Sequence, residues 1–255
     1  MPGDVFAEIR AELNTIYQTI NSNLSIKAGQ IGDYAHLELS PVDKDLRPAI
    51  ALMVARLYNC RSSKILSLGT IVLFIFMASR IHKRIPDTVQ IQEIDPRDGT
   101  QFPVLVGDYL YGKFFTTLCN ANILHLLRPL AEIIGRIHEG GILDRTSRYR
   151  QEDNNQLMVE ITKLETAELF AGAARLAGEL ALAPEEDLQC LYEFGLNLGM
   201  GYGLRKKGTV AGYCSKYFDQ ALMLLAKLPN HPDRVMLENL VKALQLTEGD
   251  IRKVV

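Results

Sequence analysis

Apolar residues recur at steps of three and four along much of this sequence, which is the spacing of one face of an α-helix. The stretch VFAEIRAELNTIYQTI shows the pattern first, with apolar side chains at Phe6, Ile9, Leu13, Ile16 and Ile20. The same rule holds in residues 47–59, 108–137, 166–181 and 188–202. No segment shows the sustained alternation of a β-strand bounded by turn dipeptides. The pattern therefore predicts an all-α fold of about ten helices.

Prolines and turn formers divide the predicted helices. Pro184 and Pro232 each precede acidic residues, an arrangement typical of a helix N-terminus, where the helix dipole favours carboxylates. Connections between helices are expected around residues 40–43, 86–103, 140–155 and 229–232. None is long enough to link two domains, so residues 1–255 are predicted to form a single all-α domain. The second and third connections are long and polar, and such loops often carry function.

Composition argues against several kinds of partner. A formal net charge of −2 gives no electrostatic reason to expect nucleic acid or an anionic membrane. The longest apolar stretch, Ile65 to Ala78, falls short of the roughly 18–20 residues needed to cross a bilayer. We therefore expect a buried core helix there and no transmembrane segment. The N-terminus lacks the basic and apolar regions of a secretory signal, so a cytoplasmic protein is expected.

Cysteine, histidine and glycine spacings predict no metal or nucleotide site. The cysteines are far apart and are expected to be reduced thiols: Cys60, Cys119, Cys190 and Cys214. Four histidines have no partner at ligand or triad spacing: His36, His125, His138 and His231. The glycines of Gly199–Gly203 follow a helical pattern rather than a strand. They are expected to permit close helix packing or a break in the helix.

Four further stretches carry a resemblance to a known family. VDKDLRPAIALMVARLY is similar to a Gly-Lys-x-x-Arg-Pro opening, with Lys44, Arg47 and Pro48 kept and Asp43 in place of the glycine. VGDYLYGKFFTTL is similar to a Gly-Asp-Tyr-Leu helix start, ETAELFAGAARLAGELA to a Lys-Thr-Ala-x-Leu-Phe helix, and LYEFGLNLGMGYGLRKKG to a Phe-Gly-x-Asn-Leu-Gly helix. In this order, from about residue 40 to 210, they resemble the trans-type isoprenyl diphosphate synthases, which make farnesyl, geranylgeranyl and longer polyprenyl diphosphates.

The resemblance implies an isoprenoid-synthase-type bundle of helices around a central cavity. In that family two Asp-rich motifs on facing helices hold Mg²⁺ ions, and the ions bind an allylic diphosphate. The chemistry requires them, because a departing diphosphate needs its charge neutralised and carboxylates can bind a polyanion only through a metal.

Both Asp-rich motifs are altered in this sequence. ASRIHKRIPD keeps Ala78, Ser79, His82 and Asp87 of the first motif, but Lys83 and Arg84 stand where its first two aspartates belong. YGLRKKGTV aligns with the second motif, with Lys206 and Lys207 at its leading aspartates. Other motif positions differ as well: Glu165 replaces the lysine of Lys-Thr-Ala, Phe76 a histidine, and Gly140, Gly141 and Asp144 a Gly-Glu-x-x-Gln element. An Arg-Arg-Gly element survives at best as Arg97 to Gly99.

These replacements predict that the chain has no catalytic and no metal-binding residues of its own. At 4 Å and an effective dielectric of about 20, two unit charges interact by about 4 kcal/mol, and Mg²⁺ facing an ammonium carries two. No cofactor is therefore expected in this chain, with Mg²⁺ only in a catalytic partner.

Three interpretations remain open. The first is a non-catalytic subunit of a heteromeric polyprenyl diphosphate synthase, with a catalytic subunit as partner; a homodimer is also compatible with the sequence. The second is a metal-independent isoprenoid-diphosphate binder or enzyme. Its diphosphate-binding residues would be Lys44, Arg47, Lys83, Arg84, Lys206 and Lys207. These cations could equally lie in solvent, or pair with Glu165 and Asp87 across the site. The third is a homo-oligomeric structural or regulatory protein.

Overall fold

The computed structural model describes residues 5–26, 29–30, 37–85, 101–150, 154–209 and 211–245. Within these ranges the chain forms ten α-helices: α1 (Arg10–Leu24), α2 (Pro41–Leu57), α3 (Ser63–His82), α4 (Gln101–Asn120), α5 (Leu127–Arg150), α6 (Asn155–Thr162), α7 (Glu168–Leu180), α8 (Glu185–Lys206), α9 (Ala211–Leu225) and α10 (Pro232–Gln245). The predicted all-α class is confirmed. Two antiparallel strands of two residues each, β1 (Ser25–Ile26) and β2 (Gly29–Gln30), follow α1.

Three short helical segments complete the chain. Ala7–Ile9 and Leu124–Leu126 are 3₁₀ turns that lead into α1 and α5. Lys163–Ala167 is a π-helix that joins α6 to α7 without a break. Such π segments often lie at functional sites.

The core lies between α2, α3, α7 and α8. The apolar face predicted for the first helix is buried, with Phe6, Ile9 and Leu13 fully enclosed. Residues 71–78 of α3 are buried on every side, as expected for a central helix. One cluster of buried apolar side chains extends through α1–α5 and α7–α10. The single domain over residues 1–255 stays a prediction, because part of that range lies outside the described residues.

The central helix α3 is the one described helix that has the length and apolar composition of a membrane span. Of its most apolar window, however, 72% is buried inside the protein. A buried core helix passes the same test of length and composition, so α3 is weak evidence for a span. The expectation of a core helix at Ile65 to Ala78 is confirmed.

Helix starts follow the sequence signals. Ser40 caps α2, since its Oγ accepts a hydrogen bond of 3.1 Å from the backbone N–H of Asp43. Pro184 is the N-cap of α8 and Pro232 is the first residue of α10. The predicted connections at 40–43 and 229–232 therefore lie at real helix boundaries. For the connection at 86–103, residues 86–100 lie outside the described residues and α4 begins at Gln101.

The predicted connection at 140–155 is wrong over most of its length, because α5 continues to Arg150. Its glycine pair does not break the helix. A Cβ at Gly140 would lie 2.8 Å from the Leu164 Cβ and 2.9 Å from the Glu165 Cγ. Gly140 therefore lets α5 pack closely against the π-helix, a tertiary contact that a single-sequence pattern does not reveal.

The structure also shows what Asn122 and the glycines of Gly199–Gly203 do. The stretch 108–137 is divided into α4 and α5, with Asn122 in the left-handed conformation (φ 53°) at the turn between them. Gly199–Gly203 lies inside the uninterrupted helix α8. A Cβ at Gly199 would lie 2.6 Å from the Ala167 Cα, so close packing, and not a break, is the role of these glycines.

Candidate functional site: a cavity with paired charges

A cavity of about 590 Å³ lies where α2, α3, α5, the π-helix and α8 meet. Lys83 is the C-cap of α3, and Lys206 and Lys207 end α8. The two basic positions predicted from the sequence therefore line the same cavity. Cations at helix C-termini are favoured by the helix dipole, which contributes to placing them there.

The first charge cluster surrounds Glu165, and we call it the Glu165 cluster: Lys83, Asp144, Arg148, Glu165 and Lys207. The Lys83 Nζ donates to the Glu165 Oε1 at 2.6 Å and Oε2 at 2.8 Å, and lies 2.9 Å from the Asp144 Oδ2. Lys207 lies 3.7 Å from the Glu165 Oε2, and Arg148 pairs with Asp144. The cluster thus joins the end of α3 to α5, the π-helix and the end of α8.

The pKa values in the Glu165 cluster reflect both burial and charge. Burial opposes ionisation of Asp144, but the hydrogen bond and the charge of Lys83 outweigh it and lower the pKa of that carboxyl. Burial lowers the pKa of Lys207, and repulsion from Lys83 acts in the same direction against the attraction of Glu165. The Asp144 carboxylate is therefore held in the ionised form by the Lys83 ammonium that it faces.

The second charge cluster surrounds Asp43, and we call it the Asp43 cluster: Ser40, Asp43, Arg47, Tyr202 and Lys206. The Asp43 Oδ1 accepts from the Tyr202 hydroxyl at 2.8 Å and from the Arg47 Nη1 at 3.4 Å. The Oδ2 accepts from the Ser40 Oγ at 2.8 Å and from the Lys206 ammonium. Burial alone would raise the pKa of Asp43, but the charges of Arg47 and Lys206 and the hydrogen bonds it accepts lower it far below its ordinary value.

Arg47 is held in place by aromatic rings as well as by Asp43. Its guanidinium carbon lies 3.6 Å from the centroid of the Phe76 ring and 4.9 Å from that of Phe170. Only 3% of the residue is exposed. A guanidinium over aromatic faces is stabilised by cation–π attraction. Phe76 thus supports this arginine from the position where the resembled family has a histidine.

The structure brings together four of the six predicted diphosphate-binding residues. Arg47, Lys83, Lys206 and Lys207 line the cavity. Lys44 instead places its Nζ 3.9 Å from the centroid of the Tyr17 ring, on the side of α2 that faces α1. Arg84 follows α3 on the exposed surface and is not among the lining residues. Asp87 and residues 97–99 lie outside the described residues.

The sequence left open whether the basic residues lie in solvent or pair with carboxylates of the same chain, and the lysines that line the cavity are paired. Lys83 and Lys207 pair with Glu165, as one reading of the sequence allowed. The pairing of Lys206 with Asp43 was missed, although Asp43 had been noted as a departure from the resembled motif. No local pattern could show it, because Asp43 and Lys206 are 163 residues apart.

A chain of hydrogen bonds beside the cavity was also missed. The Ser79 Oγ donates to the Ile75 carbonyl at 2.7 Å and lies 3.2 Å from the Tyr111 hydroxyl. The same hydroxyl lies 2.9 Å from the His138 Nε2, and the tautomer of His138 decides which of these two groups donates. Burial, with a smaller effect of His82, lowers the pKa of His138, which favours its neutral form. Tyr111 and His138 lie on different helices, so their spacing gave no signal.

The described residues do not fit a magnesium site. Across the described ranges, no group of three or more His, Cys, Asp or Glu side chains is placed to hold a metal ion. The carboxylates that do reach the cavity, Asp43 and Glu165, are engaged by Arg47, Lys83 and Lys206. Mg²⁺ requires oxygen ligands in near-octahedral geometry, and ammonium groups occupy the positions from which they would come.

Comparison with known proteins gives a consistent family. The model of the polyprenyl synthetase family matches residues 29–205. A prenyl transferase of Synechocystis sp. is 27% identical over 205 residues, which cover 78% of this chain and 64% of that protein. The chain spans about 60 to 64% of the length of the first curated relatives it matches.

Solved structures share the fold. A polyprenyl synthase from Caulobacter crescentus, complexed with calcium and isoprenyl diphosphate, has a TM-score of 0.81 at 20% identity, covering 96% of this chain and 98% of that one. A deletion mutant of the heterotetrameric geranyl pyrophosphate synthase of mint has a TM-score of 0.74 at 17% identity, covering 91% and 97%. The isoprenoid-synthase-type bundle around a cavity is thereby confirmed. Because the family model spans well over half of the sequence, this chain belongs to the polyprenyl synthetase family.

Proposed function

We propose that this chain is a non-catalytic subunit of a heteromeric polyprenyl diphosphate synthase in isoprenoid biosynthesis and supports chain elongation by a catalytic partner. One observation carries the proposal. At both positions where the sequence resemblance implies metal-binding aspartates, the cavity holds lysines, and carboxylates of the same chain neutralise them. The fold of the family is kept while the electrostatics of its metal sites are reversed.

The reversal works against metal binding at both of the altered motifs. A divalent ion placed among Lys83, Lys206 and Lys207 would meet three ammonium groups. Each repulsion at contact distance is worth several kcal/mol, even at an effective dielectric of about 20. Asp43 and Glu165 could serve the ion only by abandoning the cations that they now bind. Metal-dependent diphosphate ionisation is therefore assigned to a partner and not to this chain.

Relatives that work as mixed assemblies support the subunit role. The mint protein with the same fold is described as heterotetrameric. A subunit of such an assembly can keep the fold while its own cavity changes. A loss of catalytic residues is then tolerated, provided the partner supplies them.

The test of this proposal is copurification. The tagged full chain is produced with a polyprenyl diphosphate synthase of the same organism that has both Asp-rich motifs intact. We expect a complex of defined stoichiometry by size-exclusion chromatography with light scattering. A tagged chain that elutes alone and well folded, with the synthase in separate fractions, would rule out the subunit role.

A second candidate function is metal-independent binding of an isoprenoid diphosphate. It is favoured by the charges of the lining residues, which include more arginines and lysines than carboxylates: Arg47, Arg80, Lys83, Arg145, Arg148, Lys206 and Lys207 against Asp43 and Glu165. Farnesyl diphosphate added in EDTA at a hundred times its dissociation constant should then stabilise the chain by about 2.7 kcal/mol. The absence of any rise in melting temperature up to millimolar ligand would exclude this function.

A further inference from the structure

We propose that the carboxylates of Asp43 and Glu165 are built-in counter-anions, which occupy the cation sites of the cavity and keep phosphate-bearing molecules out of it. The inference goes beyond the subunit role, because it concerns the isolated chain and does not depend on any partner. It is incompatible with the second candidate function, which requires the native cavity to bind a diphosphate.

The Asp43 carboxylate has no acceptor capacity left. An ionised carboxylate offers about four lone-pair sites. Asp43 uses two of them at Oδ1, for Tyr202 and Arg47, and two at Oδ2, for Ser40 and Lys206. The group is buried, with 6% of the residue exposed. Asp43 thus takes the place that an external oxyanion would have between a guanidinium and an ammonium.

Glu165 plays the same part for Lys83 and Lys207. Both of its oxygens lie within 2.8 Å of the Lys83 Nζ, and Oε2 also lies 3.7 Å from the Lys207 Nζ. Asp144 adds a second carboxylate to Lys83 at 2.9 Å. Lys83 therefore has two anionic partners from its own chain before any ligand arrives.

A phosphate group could bind these cations only by displacing a carboxylate. The displaced Asp43 would remain buried, since only 6% of the residue is exposed, and would lose its positive partners to the ligand. An uncompensated buried charge is strongly unfavourable, and two like charges at one cation site repel each other. The carboxylates consequently act as tethered competitors at high local concentration, against a ligand that is free in solution.

In this sequence, basic residues at the motif positions are accompanied by new acidic residues that pair with them. Lys83 and Lys206 are departures from the resembled motifs, and so are Glu165 and Asp43. Each new lysine pairs with a new carboxylate on a different helical segment. These links cross from α3 to the π-helix and from α8 to α2. They hold the ends of four helical segments together in place of a bound ligand.

The test measures the affinity of the full chain for inorganic pyrophosphate by titration calorimetry, in a buffer that contains EDTA. We compare the native protein with Asp43→Asn/Glu165→Gln. The matched control is Glu132→Gln/Glu185→Gln, which removes two negative charges from exposed carboxylates that pair with Arg128 and Arg175. The double variant Asp43→Asn/Glu165→Gln, which we call the opened variant, is expected to bind pyrophosphate at least tenfold more tightly than the native protein and the control. Adding Lys83→Met and Lys206→Met to it should abolish the gain.

Two results would overturn the inference. One is binding of pyrophosphate by the native chain as tightly as by the opened variant. The other is an equal gain in the control, which would show a general effect of net charge. If the double variant fails to fold, Glu165→Gln alone leaves the Asp43 cluster intact, and its affinity relative to the native chain decides the question. Failure of the subunit role would appear separately, as the lack of a complex in the copurification.

Discussion

The Asp43 carboxylate neutralises Arg47, a guanidinium enclosed by two aromatic rings. Removal of that negative charge leaves a buried cation without a counter-charge, which typically costs 3 to 5 kcal/mol. We expect Asp43→Asn to lower the free energy of unfolding by about 3 kcal/mol in urea denaturation. Lys206→Met should cost no more than about 1 kcal/mol, because the lysine is half-exposed. Equal losses for the two variants would contradict this account of Arg47.

The same carboxyl gives the chain a particular response to acid. Its pKa in the folded protein lies below the ordinary value of about 3.9. A group of this kind stabilises the fold fully above its unfolded pKa, and the contribution is lost as the pH falls toward the folded pKa. The stability difference between the native protein and Asp43→Asn should therefore narrow from about pH 5 down to pH 2. A difference that stays constant over that range, measured by urea denaturation at each pH, would show that Asp43 is not the titrating group.

At this scale the sequence predicted which residues are unusual but not what they touch. Lys83, Lys206 and Lys207 were identified because they replace expected aspartates, and all three line the cavity. Their partners come from distant segments, as in the pair of Asp43 and Lys206, so spacing along the chain could not reveal them. The hydrogen bond between Tyr111 and His138 was missed for the same reason.

Close packing of α7 and α8 depends on glycines in α8. A Cβ at Gly195 would lie 2.7 Å from the Ala171 Cα, and the obstacle is backbone that cannot rotate away. Gly195→Ala should therefore destabilise the fold by about 1–3 kcal/mol. Gly135→Ala in α5 is the matched control, since nothing lies within 4 Å of its added Cβ. The control should be neutral, or more stable by about 0.5–1 kcal/mol. Thermal unfolding of both variants distinguishes a packing effect from a general effect of alanine.

We expect helix α4 to contact the catalytic partner of the proposed complex. It packs against α3 on its inner side, and its 20 residues include two charged ones, Asp108 and Lys113. Leu105 is 64% exposed and Phe115 is 45% exposed on its outer side. Interface centres are poor in charged residues, and α4 has few of them.

We expect Leu105→Asp/Phe115→Asp to weaken association with the catalytic partner at least tenfold and to leave the melting temperature of the isolated chain nearly unchanged. Met223→Asp on α9 is the control, because Met223 is also an exposed apolar residue, at 58%. Light scattering of the copurified complex provides the measurement. Loss of the complex with the control variant as well would argue against a specific role of α4.

Helices were predicted correctly where their apolar face was regular. The prediction failed where a tertiary contact overrode a local sequence signal. The face of α1 is buried as its spacing indicated. Gly140 and Gly141 looked like a loop but lie within α5, because Gly140 packs against the π-helix. The turn at Asn122 was missed because the apolar spacing continues through it.

On the scale of the whole molecule, the fold and the charge of the cavity depend on different residues. The core between α2, α3, α7 and α8 is apolar, whereas the altered charges lie at the helix ends around the cavity. Lysines can therefore replace aspartates at the cavity without a change in the packing of the core. This separation explains why the fold could be predicted from periodicity and resemblance, while the role of the chain rests on the charges of a few residues.

The central claim is tested most directly by a prenyl-transfer assay with radiolabelled isopentenyl diphosphate, an allylic diphosphate and Mg²⁺. Three samples are compared: this chain alone, the catalytic synthase alone, and the two produced together. We expect no Mg²⁺-dependent incorporation by this chain alone, and incorporation by the complex with a rate or product length different from that of the synthase alone. Mg²⁺-dependent incorporation by this chain alone, at a rate comparable with that of the complex, would contradict the central claim.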